Sequence, residues 1–430
     1  MRLEETPLYA GILSSLGILL ACCLTFQESV DDSAPASNFR GIVDELVAPL
    51  CSGAMPVPGL VVGVVRGELK EVYGYGETGL RPDDTPDGDT IFEIASVTKP
   101  LTALLLARFV ARGDLTLDDA VAPCSPPATS SLCFEGKPVT FLHLATHTSG
   151  LPLLPANIQN RGDGYSAEDF HQFLADYSLC REPGSRFEYS TAGYALLGML
   201  LGKEGTAAGF EENLAKEVLE PLGMKSTCFE VTEKAKSRYA VGHAEGAVIR
   251  HRKDRGVFCS SGGLKSTAND LLRLISANLR PEAHPHLAEA VALTQKAFPA
   301  IPTFPPSIAA IGWHVLKPAG FYWHSGVGSG FRAFIAFDPV NGCGVVILTN
   351  TGLPITDARV ELAGFGILGA LGGCPRIASA AAGCKCRGLR WQAQNLLNVV
   401  TTTPSSILAL PPCPQHFRSA SRRAYSWTAS

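Results

Sequence analysis

Apolar residues follow two different periodicities in the first half of the chain. From Gly59 the sequence GLVVGVVRGELKEVYGYGE has two apolar runs separated by Arg66 and Gly67, which predicts a strand, a turn and a second strand. Between Ser96 and Ala111 the apolar residues recur at helical spacing, and Gly113 ends the run. An antiparallel sheet is therefore expected to begin at Gly59, and a helix near Ser96.

The following region is predicted to be mainly helical and then rich in strands. From about Leu115 to Leu274 helical patterns alternate with Pro/Gly loops, and three strand-like runs follow, GFYWHSG, GFRAFIAFDP and GCGVVILTN. A last helix is expected in TDARVELAGFGILGALGG. Strands at both ends with helices between them predict a discontinuous sheet domain with a helical domain inserted into it.

The N-terminal segment Pro7–Phe26 is apolar and has no charged residue between Glu5 and Glu28. About twenty residues at about 1.5 Å each span roughly 30 Å, the thickness of the hydrocarbon core of a bilayer. We therefore expect a single-pass membrane protein anchored through this segment, with an extracytoplasmic body because Arg2 precedes the segment and acidic residues follow it. A signal peptide on a secreted protein and a mitochondrial presequence are the alternatives.

Composition predicts three parts in the chain. Residues 1–35 form the predicted anchor and a polar linker, residues 36–374 form the folded domain, and residues 375–430 form a low-complexity tail with seven Lys/Arg and no Asp or Glu. The formal net charge of −4 argues against a general nucleic-acid binder, because such a protein needs a basic face. We therefore do not expect nucleic acid to be a partner of this protein.

Cysteine spacing predicts neither a zinc site nor another structural metal. Cys384 and Cys386 lack the further ligands that zinc needs. Cys124 and Cys133 bracket a short loop and could form a disulfide if the body is exported. We expect no metal and no cofactor.

Three short motifs carry the candidate chemistry. Ser96 and Lys99 form S-x-x-K at the predicted start of a helix, Tyr189 opens Y-S-T before another helix, and His324 opens H-S-G at the end of a strand-like run. Residues three apart share a helix face, and a helix N-terminus favours a developing anion. Each motif alone is more often structural: a helix-start serine with a solvated lysine, a packing tyrosine, or a histidine within a strand.

In this order the three motifs resemble the serine β-lactamase and penicillin-binding-protein superfamily, specifically its class C-like and esterase branch. The flanking sequences FEIASVTKPLTAL, GDLTLDDAV, FLHLATHTSGLP, GGLKSTANDLLRL, IGWHV and FIAFDPVNGCGVVILTN are similar to that family as well. The resemblance covers roughly Phe39 to Gly373, and YSTAGYALLG is most similar to the animal β-lactamase-like serine proteins.

The resemblance implies an α/β (α+β) fold, a three-layer α/β/α sandwich with a mainly antiparallel sheet and an inserted helical domain. It implies that Ser96 is the acylated nucleophile, that Lys99 takes its proton and that Tyr189 shares the acid/base work. A lysine at its reference pKa of about 10.4 is protonated at neutral pH and cannot accept that proton. The fold must therefore bury Lys99 or surround it with acceptors and positive neighbours.

The resemblance also implies which residues bind the substrate. The backbone N–H groups of Ser96 and Val327 match the oxyanion hole, and His324, Ser325 and Gly326 match the third motif beside the cleft. His324 replaces a lysine, so a substrate carboxylate would meet a mostly neutral imidazole.

Thr191 also departs from the lactamase branch, where an asparagine is common. The substitution removes an amide that would donate to a substrate carbonyl, while the threonine hydroxyl can still bond to Lys99. Together with His324, it lowers the expectation of β-lactam hydrolysis and leaves other acyl-transfer chemistry open.

Two functions from different classes therefore remain. The first is a membrane-anchored serine hydrolase that forms an acyl-enzyme with a small-molecule or peptide substrate, through an ester or amide bond. The second is a binding or scaffolding protein that has the same fold and no catalysis, favoured by Thr191, His324 and the basic tail. A Ser-His-Asp triad using His143 or His147 with Ser149 is a weaker alternative, because this stretch matches a supporting turn of the family.

Overall fold

A computed structural model describes residues 39–52, 55–122, 132–158, 165–202, 205–249, 256–298, 307–317, 319–328, 330–352 and 357–373. The predicted anchor and the predicted tail 375–430 lie outside these residues, as does Cys124. Cys133 is disulfide-bonded.

The predicted single-pass membrane location is corrected by the structure. Among the described residues no helix is both long and apolar enough to cross a bilayer. The expectation was based on hydropathy alone, and its segment Pro7–Phe26 lies outside the described part of the chain.

The main sheet has eight antiparallel strands in the order β2-β1-β14-β13-β12-β11-β10-β9. The short strands β3 and β8 form a separate pair beside it, as do β4 with β5 and β6 with β7. The strands are β1 Gly59–Arg66, β2 Leu69–Gly76, β3 Phe92–Glu93, β4 Cys133–Phe134, β5 Lys137–Pro138, β6 Gly242–Ala244, β7 Ala247–Ile249, β8 Lys265–Ser266, β9 Ala297–Phe298, β10 Ser307–Ala310, β11 His314–Leu316, β12 Phe321–Val327, β13 Arg332–Asp338 and β14 Cys343–Thr349.

Helices lie on both faces of this sheet. The α-helices are α1 Phe39–Cys51, α2 Thr98–Arg112, α3 Phe141–Ala145, α4 Ala167–Asp176, α5 Thr191–Leu201, α6 Ala207–Leu214, α7 Glu220–Leu222, α8 Cys259–Gly262, α9 Ala268–Leu279, α10 Ala288–Thr294 and α11 Arg359–Leu371. A π-helical turn, Ala215–Leu219, joins α6 to α7. The 3₁₀ turns are Ala95–Val97, Ala156–Ile158, Glu233–Arg238, Gly256–Phe258 and Pro281–Ala283.

Two apolar cores define the three layers. Helices α1 and α11 pack on one face of the sheet, where Val62, Phe334 and Ile347 are fully buried. Helices α2 and α9 and the helical region pack on the other face, against Val61 and Ile335. Because both faces are covered, β13 and β14 are buried along their whole length. The structure confirms the predicted α/β/α sandwich with a mainly antiparallel sheet.

Several predicted elements match the observed ones closely. The run from Gly59 forms β1 and β2, and the three later strand-like runs correspond to β12, β13 and β14, with β12 extending one residue beyond its run to Val327. The helix expected from Ser96 differs at its beginning, because a 3₁₀ turn precedes α2 there. Gly113 ends α2 in the left-handed conformation at φ 77°, which glycine adopts without steric cost.

Candidate active site

Ser96 lies in a tight turn between strand β3 and helix α2. This turn, Ala95–Val97, is 3₁₀ and leads directly into the α-helix. Ala95 has φ 43°, a left-handed value that is uncommon for a residue with a Cβ atom. Such backbone strain persists where the surrounding structure enforces it, and it is common at functional sites.

Lys99 is one helical turn beyond Ser96, and its amine lies beside the hydroxyl. The distance from Lys99 Nζ to Ser96 Oγ is 3.0 Å, and Nζ also donates to the carbonyl oxygen of Ser261 at 2.7 Å. The Lys99 side chain is fully buried. The burial that the sequence analysis required for Lys99 is therefore present, and the amine is within hydrogen-bond reach of the serine.

Tyr189 reaches the same place from the loop before helix α5. Its ring is 8% exposed, and Lys99 Nζ lies 4.8 Å from the ring centroid. The Tyr189 ring also stacks on the ring of His147, at a centroid distance of 4.3 Å. The structure thus brings together the three residues expected to carry out the proton transfers and the attack.

The stretch around His147 holds the Tyr189 loop in place. The Ser190 N–H donates to His147 Nδ1 at 3.0 Å, and the Ser190 hydroxyl donates to the Pro152 carbonyl oxygen at 2.7 Å. The same hydroxyl caps helix α5 by accepting from the Gly193 N–H at 2.7 Å. Since Nδ1 accepts from a backbone amide, His147 acts as a support for Tyr189, which argues against the alternative Ser-His-Asp triad.

His143 and Ser149, the other residues of that alternative, have local structural roles. His143 Nδ1 accepts from the Thr140 N–H at 3.1 Å, and the Ser149 hydroxyl accepts from the Leu151 N–H at 3.2 Å. Thr191 is the first residue of helix α5, and its N–H donates to the Leu153 carbonyl oxygen at 3.0 Å.

Strand β12 lies directly against the turn that contains Ser96. A Cβ atom added to Gly326 would lie 2.1 Å from the Ile94 carbonyl oxygen and 3.1 Å from the Ser96 backbone nitrogen. Only glycine allows so close an approach without displacement of the backbone. Val327, the next residue, is the last of β12.

His324 and Ser325 are neighbours in sequence, yet their side chains occupy opposite faces of β12, as strand geometry requires. The His324 ring lies 6.2 Å from the Tyr189 ring, centroid to centroid. Burial raises the pKa of the Glu361 carboxyl on helix α11, and an interaction with the Ser325 side chain partly opposes this rise. His324 is therefore the third-motif side chain beside Tyr189, whereas Ser325 is directed toward the layer behind the sheet.

Three histidines surround Tyr189 and are held neutral. Burial lowers the pKa of His314 to about 4, and Lys99 contributes to this shift when its amine is protonated. Burial also holds the pKa of His147 and that of His324 well below the usual range. His324 Nδ1 donates to the Ser325 carbonyl oxygen at 2.8 Å, so Nε2 is the acceptor nitrogen of its neutral ring.

This cluster predicts a fall in stability at acid pH. Each histidine has a lower pKa in the folded state than in the unfolded chain, so the unfolded state binds more protons as the pH falls. The stabilisation is complete above about pH 6.5 and is lost progressively toward pH 4. We expect the free energy of unfolding, from urea titrations, to fall by at least about 1 kcal/mol between pH 7 and pH 5. His314→Phe should flatten this dependence, and an unchanged slope in that variant would contradict the explanation.

His314 was missed as a site residue by sequence reasoning. Its ring lies 5.1 Å from that of His324 and 6.2 Å from that of Tyr189, measured between centroids. The sequence IGWHV, which contains this histidine, is similar to the family, but the similarity assigns no role to the histidine. Within the described residues no group of three His, Cys, Asp or Glu side chains is arranged to hold a metal ion.

Comparisons with known proteins identify the family of this chain. The family model described as Beta-lactamase matches residues 39–363. A beta-lactamase of Escherichia coli K12 is 27% identical over 384 residues, which covers 81% of this chain and 98% of the relative. The D-alanyl-D-alanine-carboxypeptidase/endopeptidase AmpH of the same strain is 25% identical over 372 residues, covering 81% of this chain and 95% of the relative.

A solved structure gives the same fold. A mutant class C beta-lactamase superposes with a TM-score of 0.65 at 24% identity, covering 80% of this chain and all of the other. The family model and the relatives place the chain in the serine β-lactamase and penicillin-binding-protein superfamily, and its fold is that of the class C beta-lactamase structure. This chain belongs to the beta-lactamase family and is a serine hydrolase of that family.

Proposed function

We propose that the protein hydrolyses an ester, amide or peptide bond through an acyl-enzyme on Ser96. The observation that supports this proposal most strongly is the 3.0 Å distance from Lys99 Nζ to Ser96 Oγ in a fully buried environment. Burial disfavours a charged amine relative to a neutral one, and only the neutral amine can accept the serine proton. A serine hydroxyl needs such a base before it can attack a carbonyl carbon.

The proposed reaction has two steps. Lys99 takes the proton from Ser96 Oγ as that oxygen bonds to the substrate carbonyl carbon, and the resulting oxyanion accepts hydrogen bonds from the Ser96 and Val327 N–H groups. The leaving group then departs with a proton that Lys99 and Tyr189 supply, and the acyl-enzyme remains. A water molecule attacks the ester by the same proton transfers in reverse, which releases the acid and restores Ser96.

We further propose that preferred substrates carry no carboxylate close to the scissile bond. His324 is neutral at physiological pH because burial keeps its pKa well below the usual range, so it provides no fixed positive charge. Its neutral ring can accept a hydrogen bond from a substrate N–H or O–H group. The names of the relatives, beta-lactamase and carboxypeptidase, suggest that substrates with lactam or peptide bonds are candidates as well. His324 and Thr191 favour uncharged esters and amides over such substrates.

A substrate panel tests the proposed function. The full-length protein should hydrolyse at least one member of a panel of neutral p-nitrophenyl esters, anilides and short peptides, and Ser96→Ala should reduce that turnover by at least about 1000-fold because the nucleophile is lost. Ser149→Ala is the matched control, since its hydroxyl has only a structural bond, and it should keep most of the activity. Turnover that is equal in wild type and Ser96→Ala, or absent in both, would instead favour a binding protein of the same fold.

Substitution at His324 should change the charge preference of the enzyme. In His324→Arg a guanidinium group, which stays protonated even when it is buried, replaces the neutral ring beside Tyr189, so kcat/KM for an acyl substrate with a carboxylate should rise relative to its methyl ester. One such charge pair corresponds to a shift of about 5–30-fold in this ratio. His324→Gln, which stays neutral, should leave the ratio unchanged. The same ratio in His324→Arg and wild type would contradict the role of His324 in substrate choice.

A further inference from the structure

A buried ion pair lies behind the end of strand β12 that carries the proposed oxyanion donor. Arg332 donates to both carboxylate oxygens of Glu361, from Nη2 at 2.9 Å to each and from Nε to Oε1 at 3.2 Å. The two side chains are 0% and 1% exposed. This is the planar two-point geometry in which an arginine holds a carboxylate most rigidly.

The pair is connected to β12 in two ways. Arg332 is the first residue of β13, and in the antiparallel register it lies opposite Val327. Ser325, two residues before Val327, interacts through its side chain with the Glu361 carboxylate. Helix α11 is thus connected through Glu361 to both strands at the point where they meet the Ser96 turn.

Stability does not explain why charged residues occupy this position. Moving two charges out of water is costly, and apolar residues of similar volume are often as stable or more stable than a buried ion pair. The neighbouring residues of the same layer are apolar, for example Phe334 and Val360. A directional contact, which apolar residues cannot provide, is the property that distinguishes this pair from its surroundings.

We propose that Arg332 and Glu361, through Ser325, are positioning residues that hold the Val327 N–H at the distance from Ser96 that an oxyanion requires. They touch neither the substrate nor the reacting atoms. This inference rests on the proposed Ser96 mechanism. An oxyanion donor is effective only when it lies about 2.7–3.1 Å from the developing charge, and an error of about 1 Å can reduce the rate by about 100-fold.

The test uses the full-length protein and an ester substrate found by the panel. In the double variant Arg332→Met/Glu361→Leu, the volume is largely kept and no charge remains unpaired, so the fold should persist. We expect kcat to fall by about 10–100-fold while KM changes by less than about threefold, because the oxyanion exists only in the transition state. Affinity for a boronic acid that forms a tetrahedral adduct with Ser96 should fall by a similar factor.

Two further variants separate positioning from general loss of stability. Ser325→Ala removes only the hydroxyl that connects β12 to Glu361, and it should lower kcat by about 3–10-fold. Val345→Ala creates a cavity in the same layer on β14, and it should lower the melting temperature without changing kcat per folded molecule.

The outcomes distinguish this inference from the proposed function. If the ester turnover proves independent of Ser96, the proposed function fails. If turnover depends on Ser96 and kcat stays within twofold of wild type in both the double variant and Ser325→Ala, only the positioning role is wrong. If the double variant does not fold, the kcat of Ser325→Ala alone decides, and an unchanged value overturns the proposal.

Discussion

Lys99→Met should reduce kcat/KM for the best ester by about 100–10,000-fold, the range expected when a general base is removed. Methionine keeps the length and burial of the side chain but cannot accept the proton of Ser96, whose Oγ lies 3.0 Å from Lys99 Nζ in the wild type. Stopped-flow measurement of the acylation burst gives the rate of the affected step directly.

Lys99→Arg is the informative companion to this variant. Arginine keeps a positive charge near Ser96, yet it stays protonated at any pH at which the protein is folded. If Lys99 acts as a base, both variants should be slow. If Lys99 contributes mainly its charge, Lys99→Arg should recover much of the rate, and that recovery would contradict the proposed proton transfer.

Gly326→Ala should be the most damaging single-methyl change in the site. Its Cβ atom would lie 2.1 Å from the Ile94 carbonyl oxygen, which is backbone and cannot rotate away. Strand β12 and the Ser96 turn must therefore separate, and a displacement of about 1 Å corresponds to a loss of about 100-fold in kcat. Stability should fall as well, which thermal unfolding would detect.

Gly344→Ala provides the matched control on strand β14. Its Cβ atom would meet the Cγ2 atom of the Ile275 side chain at 2.4 Å, and a side chain can rearrange more easily than backbone. This control should lose stability through overpacking while it keeps kcat per folded molecule. Equal losses of kcat in the two variants would show that the effect of Gly326→Ala is not specific to the oxyanion hole.

The fold could be predicted, and candidate site residues could be proposed, because the signals for both are local. Helical spacing identified the helix after Ser96, and three short motifs in a fixed order identified Ser96, Lys99 and Tyr189 as candidates. The 3₁₀ turn at Ala95–Val97 could not be predicted from spacing, since a strained φ at Ala95 depends on the strands packed around it.

Contacts between distant segments account for most of what sequence reasoning missed. His147 lies in the loop after helix α3 and His314 lies in strand β11, and both contact Tyr189. Nothing in the sequence around either histidine indicates these contacts. Arg332 lies in a strand-like run, and its partner Glu361 lies 29 positions later in a helix. One feature could have been predicted: successive side chains along a strand point to opposite faces of the sheet, so Ser325 and His324 cannot both face the same site.

The membrane prediction failed for a different reason. A run of apolar residues at Pro7–Phe26 satisfies the length criterion for a membrane span, but hydropathy measures only one property of a segment. Among the described residues, no helix meets both the length and the hydropathy needed to cross a bilayer.

The most direct test of Ser96 as the nucleophile is the site at which a fluorophosphonate probe becomes attached. Full-length wild type and Ser96→Ala are treated with the probe, and intact mass spectrometry followed by peptide mapping locates the adduct. The mechanism predicts a single adduct on the peptide that contains Ser96, and none in Ser96→Ala. An adduct on another serine, such as Ser149 or Ser190, or equal labelling of both proteins would contradict it.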